Sequence, residues 1–375
     1  MKLHKKIIKI TLLLLVIILF IQCEKDYIPD GNSSQFHRGN DQPINCWTSI
    51  TDWSGLMSDS LLTINLIPVI PPVDLNYINW LNNKYNRVDI RSLTSENFSD
   101  LQCLKQYIGN RTLVQLGESS HGTKEYSQIK VRLIKFLHEQ MGFDVIAFES
   151  GFFECFYTNE NIANLSEIDA MRSSIYFGVW GTPDVKELFT YIKSTQSTNH
   201  PLIFAGFDCQ YTSDNNSILK RPAYLYDMIS KIDIQYANKI RTFDSLTNVQ
   251  LVYFNTSYFN QYQDSILATY TQVVSFIDLH IDSLISYNSI YPLIIRQSIT
   301  STLADINYLL ANPSQSLSGN PESYKIRDSA MASNVIFLKE KLYSNKKIIL
   351  WAHNYHIANS QYQHSLYPDI KNMGT

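Results

Sequence analysis

Three histidines and two glutamates of this chain follow directly on short apolar runs, where side chains of different segments can be gathered. Residues 113–117 (LVQLG) lead into Glu118-Ser119-Ser120-His121-Gly122, and residues 144–148 (DVIAF) into Glu149-Ser150-Gly151. Residues 201–205 (PLIFA) run into Gly206-Phe207-Asp208, and residues 347–351 (KIILW) into Ala352-His353-Asn354-Tyr355-His356. These residue types suit hydrolysis. A histidine titrates near neutral pH and can deprotonate water. A carboxylate on its other ring nitrogen fixes the tautomer and stabilises the imidazolium, and Glu118 and Glu149 are both candidates for that task. The oxyanion that follows needs donors, for which His353, His356 and Lys130 are the candidates. The same Glu and His set also suits Zn²⁺ or Mn²⁺, so a metal-dependent hydrolase is the alternative chemistry. Ser119 and Ser120 lie outside any GxSxG elbow, which argues against a serine nucleophile.

The elements that must position these residues read as an α/β fold. Continuous rather than alternating apolar runs predict a parallel sheet covered by helices on both faces. In such a sheet the carboxyl ends of the strands line one crevice, which would bring all four segments together. A short helix is expected over 99–108, and a longer one over 124–141. In the longer helix Thr123 stands at the cap, Glu125 in the first turn and Gly142 just past the end. Tyr126, Ile129, Leu133, Leu137 and Met141 follow helical spacing. Lys130 falls on that stripe beside Leu133 and Leu137, whereas Arg132 points away. A cation on a buried face needs a partner, and the carboxylates at the sheet edge are the expected ones. Between the third and fourth strands, helices are expected over 219–232, 262–287, 291–310 and 324–342. Together they form a large helical insertion, about 211–345.

The N-terminus carries Lys2, Lys5, Lys6 and Lys9, then an apolar run over 10–21, then Cys23. Residues 1–22 resemble a bacterial lipoprotein signal peptide, which would make Cys23 the lipidated first residue of the mature chain. That predicts a lipid anchor in the cell envelope, periplasmic or cell-surface. Residues 23–94 read as a linker and an N-terminal extension holding Trp47, Trp53 and Trp80, and the main domain is expected over 95–375. The remaining Cys46, Cys103, Cys155 and Cys209 form no CxxC pair, and disulfides and free thiols are both open to them. A net charge of −3, with 17% charged residues, excludes the basic face of a nucleic-acid binder.

Taken in order, LGESSHGTKEY, GFDVIAFES, GFDCQ and WAHNYHIA resemble the successive signatures of the erythromycin esterase family, from about residue 95 to the end. The resemblance implies an ester or lactone substrate, a macrolide among the options, and hydrolysis without a metal or other cofactor. It places the general base on His121, its carboxylates on Glu118 and Glu149, and the paired histidines on His353 and His356. The family's basic residue falls on Lys130, where well-studied members have Arg; Lys keeps the charge but loses the bidentate fork. Asp208 and Asn354 are expected to meet the substrate. Family members continue beyond the stretch at which this sequence stops, which predicts a truncated C-terminus at Thr375. A surface lipoprotein that binds glycans or a protein partner through its Tyr-rich insertion is the non-catalytic alternative.

Overall fold

The computed structural model describes residues 90–312, 320–358 and 372–374. The chain divides into two units, Met1–Val88 and Asp89–Thr375, and the described residues belong to the second. The signal-peptide reading, Cys23, Cys46 and the Trp-bearing extension lie outside them. Cys103, Cys155 and Cys209 are free thiols. Among the described residues no helix is long and apolar enough to cross a membrane.

Four parallel strands form the sheet: β1 (Leu113–Glu118), β2 (Val145–Gly151), β3 (Ile203–Asp208) and β4 (Ile348–His353), in the order β1-β4-β2-β3. The last strand is thus wedged between the first two. Its neighbours bury it on both sides, which is why residues 348–352 are uniformly apolar. β1 lies at an edge and is half exposed, with only Glu118 buried. Each strand reaches further than the apolar run alone indicates. Glu118, Asp208 and His353 are the last residues of their strands, and Glu149 lies within β2. Backbone pairing therefore fixes the chemistry-bearing residues.

The 99–108 helix is in fact two pieces, a 3₁₀ turn at Ser99–Leu101 and α1 (Leu104–Ile108). α2 (Lys124–Met141) has its predicted ends, with Gly142 in the left-handed region at φ 67°, although the Thr123 side chain makes no capping bond. Its buried face lies one position on from the expected stripe, at Ser127, Lys130, Val131, Ile134, Leu137 and His138. Arg132, expected to point away, is 3% exposed. It donates to the carbonyls of Ser92, Ser95 and Asn97 and to Asp100, pinning the segment before α1 onto α2.

Between β2 and β3 come α3 (Phe152–Asn161), α4 (Glu167–Ser174), α5 (Phe177–Trp180) and α6 (Pro183–Thr195). Between β3 and β4 come α7 (Arg221–Ile229), α8 (Ile234–Val252), α9 (Thr256–Leu279), α10 (Ile281–Tyr287), α11 (Tyr291–Ala311) and α12 (Pro321–Phe337). α8 has no counterpart in the sequence reading, because its buried face carries Asp244, Thr247 and Asn248 among Ala237, Ile240 and Leu251. Those polar groups surround a fully buried Arg221. Its Nη2 donates to Asp244 (2.6 Å) and Asn248 (2.8 Å), and Tyr270 of α9 donates to Asp244 at 2.7 Å. Helix side chains also satisfy the outer edge of β3. Asn159 accepts from Phe204 N at 2.8 Å, and Asn334 donates to Phe207 O at 3.0 Å.

Candidate active site

Register brings the two halves of the site together. Glu118 ends β1 directly beside His353, which ends β4, and Phe148 pairs with Trp351 one strand further. All four predicted segments therefore meet at the carboxyl edge of the sheet. Gly117 has a steric reason for being glycine: a Cβ there would lie 1.9 Å from the amide oxygen of Asn354. Asn354 opens the short helix α13 (Asn354–Ile357) that follows β4, and it is exposed.

The first half is built on Glu118, which is 3% exposed. Its Oε1 accepts from His121 Nδ1 at 2.7 Å and from Trp180 Nε1 at 3.0 Å, and its Oε2 from Lys130 Nζ at 2.8 Å. Burial pushes this carboxyl up, but the His121 hydrogen bond and the Lys130 charge outweigh it and hold the group below the ordinary carboxylate range. Lys130 also donates to Ala352 O at 3.2 Å and sits 4.5 Å over the Trp351 ring. Burial brings it down to about 8, against the pull of Glu118. With its ammonium so engaged, Lys130 orients the carboxylate and has no free face for a substrate oxyanion. The His121 side chain remains 29% exposed.

The second half is a chain of alternating charges. Glu149 Oε2 accepts from the His353 backbone N at 2.8 Å. Its Oε1 accepts from Arg327 Nη2 at 2.8 Å and from His356 Nε2 at 3.2 Å. The other His356 nitrogen, Nδ1, lies 2.9 Å from Asp328 Oδ1. Burial opposes charge on His356, yet Glu149 and Asp328 together raise it to about 9. It is therefore an imidazolium at neutral pH, donating to both carboxylates. Arg327 Nη1 lies 3.2 Å from the same Nε2, a contact between cations that the surrounding carboxylates compensate. Glu149 is held well below the ordinary range, since His356 and Arg327 outweigh its burial.

His353 joins the halves and behaves differently. Its ring lies 4.9 Å from that of His121. Burial and the neighbouring His121 bring it down to about 4, so it is neutral at pH 7. Its Nδ1 accepts from Tyr355 N at 3.0 Å, which leaves the proton on Nε2. Of the three donor candidates, only His353 is both neutral and beside His121. His356 is 5% exposed and Lys130 is 2% exposed, and both are bonded to carboxylates. Asp208, expected to meet the substrate, is 1% exposed and holds Arg327, which donates to it through Nε (3.1 Å) and Nη2 (2.5 Å).

Trp180, Arg327 and Asp328 were not read from the sequence as site residues. For Asp328 a signal existed. It shares helical spacing with Met331, Asn334 and Leu338, the same mark of a polar group on a buried face that singled out Lys130. Trp180 sits on a one-turn helix and offers no comparable pattern.

The donor geometry bears on the metal alternative. Among the described residues no cluster of three or more His, Cys, Asp and Glu could hold a metal ion. Apart from His121 Nε2, most of the lone pairs such a centre would need are occupied. Glu118 accepts three hydrogen bonds, Glu149 is held by Arg327, His356 and a backbone amide, and both His356 nitrogens are donors.

The sequence profile of the erythromycin esterases matches residues 138–375, and the chain belongs to the erythromycin esterase family. Glu118, His121 and Lys130 precede the matched span, whereas Glu149, Asp208, Arg327, Asp328, His353 and His356 lie within it. A protein of Bacillus subtilis (strain 168) named as a hydrolase, YbfO, is 31% identical over 288 residues, 74% of this chain and 63% of its own. The present chain thus spans less than two thirds of that relative's length. Erythromycin esterase type II of Escherichia coli is 22% identical over 302 residues, covering 76% of this chain and 70% of that protein. A solved Bacillus cereus protein has the same fold, with a TM-score of 0.62 at 20% identity over 81% of this chain and 71% of its own. A mutant of erythromycin esterase EreC in its open conformation has a TM-score of 0.52 at 21% identity, covering 70% of this chain and 65% of that one. The family and the relatives' names are those of hydrolases.

Proposed function

We propose that this chain hydrolyses an ester or lactone by direct attack of water, with His121 as the general base. The observation that carries the reading is the 2.7 Å bond from His121 Nδ1 to a buried, ionised Glu118, with the imidazole still open to solvent. In this scheme His121 Nε2 takes a proton from water as its oxygen adds to the carbonyl carbon. Glu118 stabilises the imidazolium that forms. The His353 Nε2–H, which the Ser119 backbone engages in the free protein, donates to the new oxyanion as a neutral imidazole, so no positive charge has to be buried for that role. Collapse of the tetrahedral intermediate breaks the bond to the alkoxide oxygen, which takes the proton back from His121. The products are an acid and an alcohol, or a ring-opened hydroxy acid from a lactone. The Arg327–Glu149–His356–Asp328 chain holds the His353 backbone in place.

A macrolide lactone is the substrate to try first, on the strength of the E. coli relative's name. Mass spectrometry of macrolides and simple aryl esters incubated with the protein tests the proposal, hydrolysis adding one water to the substrate. Turnover that survives EDTA supports it. Turnover abolished by EDTA and restored by Zn²⁺ or Mn²⁺ would transfer the reading to the metal hydrolase. The proposal extends to location: a lipid on Cys23 would keep the enzyme at the cell envelope. Fractionation of cells carrying Cys23→Ser checks this, the anchored reading requiring a move out of the membrane fraction.

A further inference from the structure

We infer that Trp180 is a positioning residue for the His121 base, its indole N–H barring a proton from Glu118 Oε1 and so keeping Nε2 as the basic nitrogen. The inference rests on the hydrolase reading for its kinetic consequence but not for its geometry. Trp180 ends the one-turn helix α5 and is 3% exposed. Its only polar atom donates to the same Oε1 that His121 Nδ1 contacts.

An indole N–H can only donate, and unlike Lys130 or a histidine it does not titrate in the working range. A proton moved from Nδ1 to Oε1 would leave that oxygen a weaker, uncharged acceptor for the indole N–H, so the N–H favours the ionised carboxylate. The proton between Glu118 and His121 therefore stays on Nδ1. Lys130 guards Oε2 in the same way, but with a charge that fades above about pH 8.

The indole also fixes the ring it serves. Trp180 packs edge-on against His121, with centroids 5.4 Å apart and planes at 88°. Behind it Phe148 meets Trp180 at 5.8 Å and stacks on Trp351 at 4.8 Å. One side chain thus sets both the proton's place and the imidazole's angle. The other titratable groups facing the pair are Lys130 from α2, Glu149 from β2 and the neutral His353 from β4. None of them donates to Oε1.

The test uses Trp180→Phe, which keeps an aromatic ring, and benzothienylalanine at position 180, which keeps the bicycle and replaces N–H with sulfur. The readouts are the ¹⁵N NMR titration of His121 in the free protein, together with kcat and KM. With one donor removed, Glu118 becomes more basic and holds the imidazolium more tightly, so the His121 midpoint rises in both variants. Glu118 and the imidazole it holds are no longer oriented by the indole N–H, and this outweighs the gain in basicity: the expected loss in kcat is about tenfold, the scale of one hydrogen bond to a charged group, with KM little changed. Variants with a lower melting temperature but an unchanged His121 midpoint would overturn the inference and leave Trp180 as packing. If the wild-type protein hydrolyses nothing, the functional reading fails, and the NMR titration still decides the role of Trp180.

Discussion

In the proposed mechanism His121 and His353, with ring centroids 4.9 Å apart, take opposite tasks, and their surroundings set the difference. A carboxylate fixes the proton of His121 on Nδ1 and leaves its Nε2 as the acceptor, while burial keeps His353 neutral and the Tyr355 N–H on its Nδ1 leaves its proton on Nε2. Lys130 belongs to the same scale. Brought down to about 8, it loses its proton as pH rises past that value and ceases to hold Glu118 Oε2. The pH profile of kcat/KM should therefore fall on its alkaline side near pH 8. Lys130→Arg should remove that limb, because guanidinium does not deprotonate there. Identical alkaline limbs in the two proteins would show that Lys130 does not govern it. Lys130 was legible in the sequence as a cation on a buried stripe. Trp180 was not, because nothing in a sequence states that a loop between two strands will return an indole to a carboxylate across 62 positions.

At the scale of elements, the strands and α2 follow from local pattern, whereas the insertion does not. α8 was hidden because its inner face is polar. That face makes sense only once Arg221, from another helix, is placed against it. Removing one partner from such a buried pair leaves an uncompensated charge. Asp244→Ala should cost about 3–5 kcal/mol in urea unfolding. A loss within about 0.5 kcal/mol, the range of ordinary surface substitutions, would show that the network is not what joins α7 to α8. Among the helices between β2 and β3, α4 and α5 span eight and four residues, too few for a periodic pattern, whereas α6 carried a legible start in Thr182 and Pro183 that went unread. The strand order is a further element-level feature beyond sequence, since no local pattern reports that β4 inserts between β1 and β2.

For the whole molecule, buried protons set how stability depends on pH. His356 is raised to about 9 from an ordinary 6.5, so its contribution is full below pH 6.5 and is lost as pH rises toward 9. The shift corresponds to on the order of 3 kcal/mol. Glu154 acts in the same direction. Burial raises it to about 7, its Oε1 has no hydrogen-bond partner, and it destabilises the fold increasingly as pH passes from 4.5 to 7. Stability should therefore decline between about pH 6.5 and pH 8, above which Lys130, brought down to about 8, offsets the loss on His356. His356→Gln should flatten the upper part of the decline, and Glu154→Gln should raise stability at pH 8. Denaturant titrations at pH 6, 7, 8 and 9 decide this, and a wild-type stability that rises between about pH 6.5 and pH 8 would contradict it.

In the proposed mechanism His121, held by Glu118, activates water without a metal. The most direct measurement is kcat/KM for an ester or lactone that the wild-type protein hydrolyses, compared with His121→Ala, both after EDTA treatment and in metal-free buffer. The wild type should keep its rate, and His121→Ala should lose about 10²–10⁴-fold while remaining folded. A folded His121→Ala protein with wild-type turnover would contradict it.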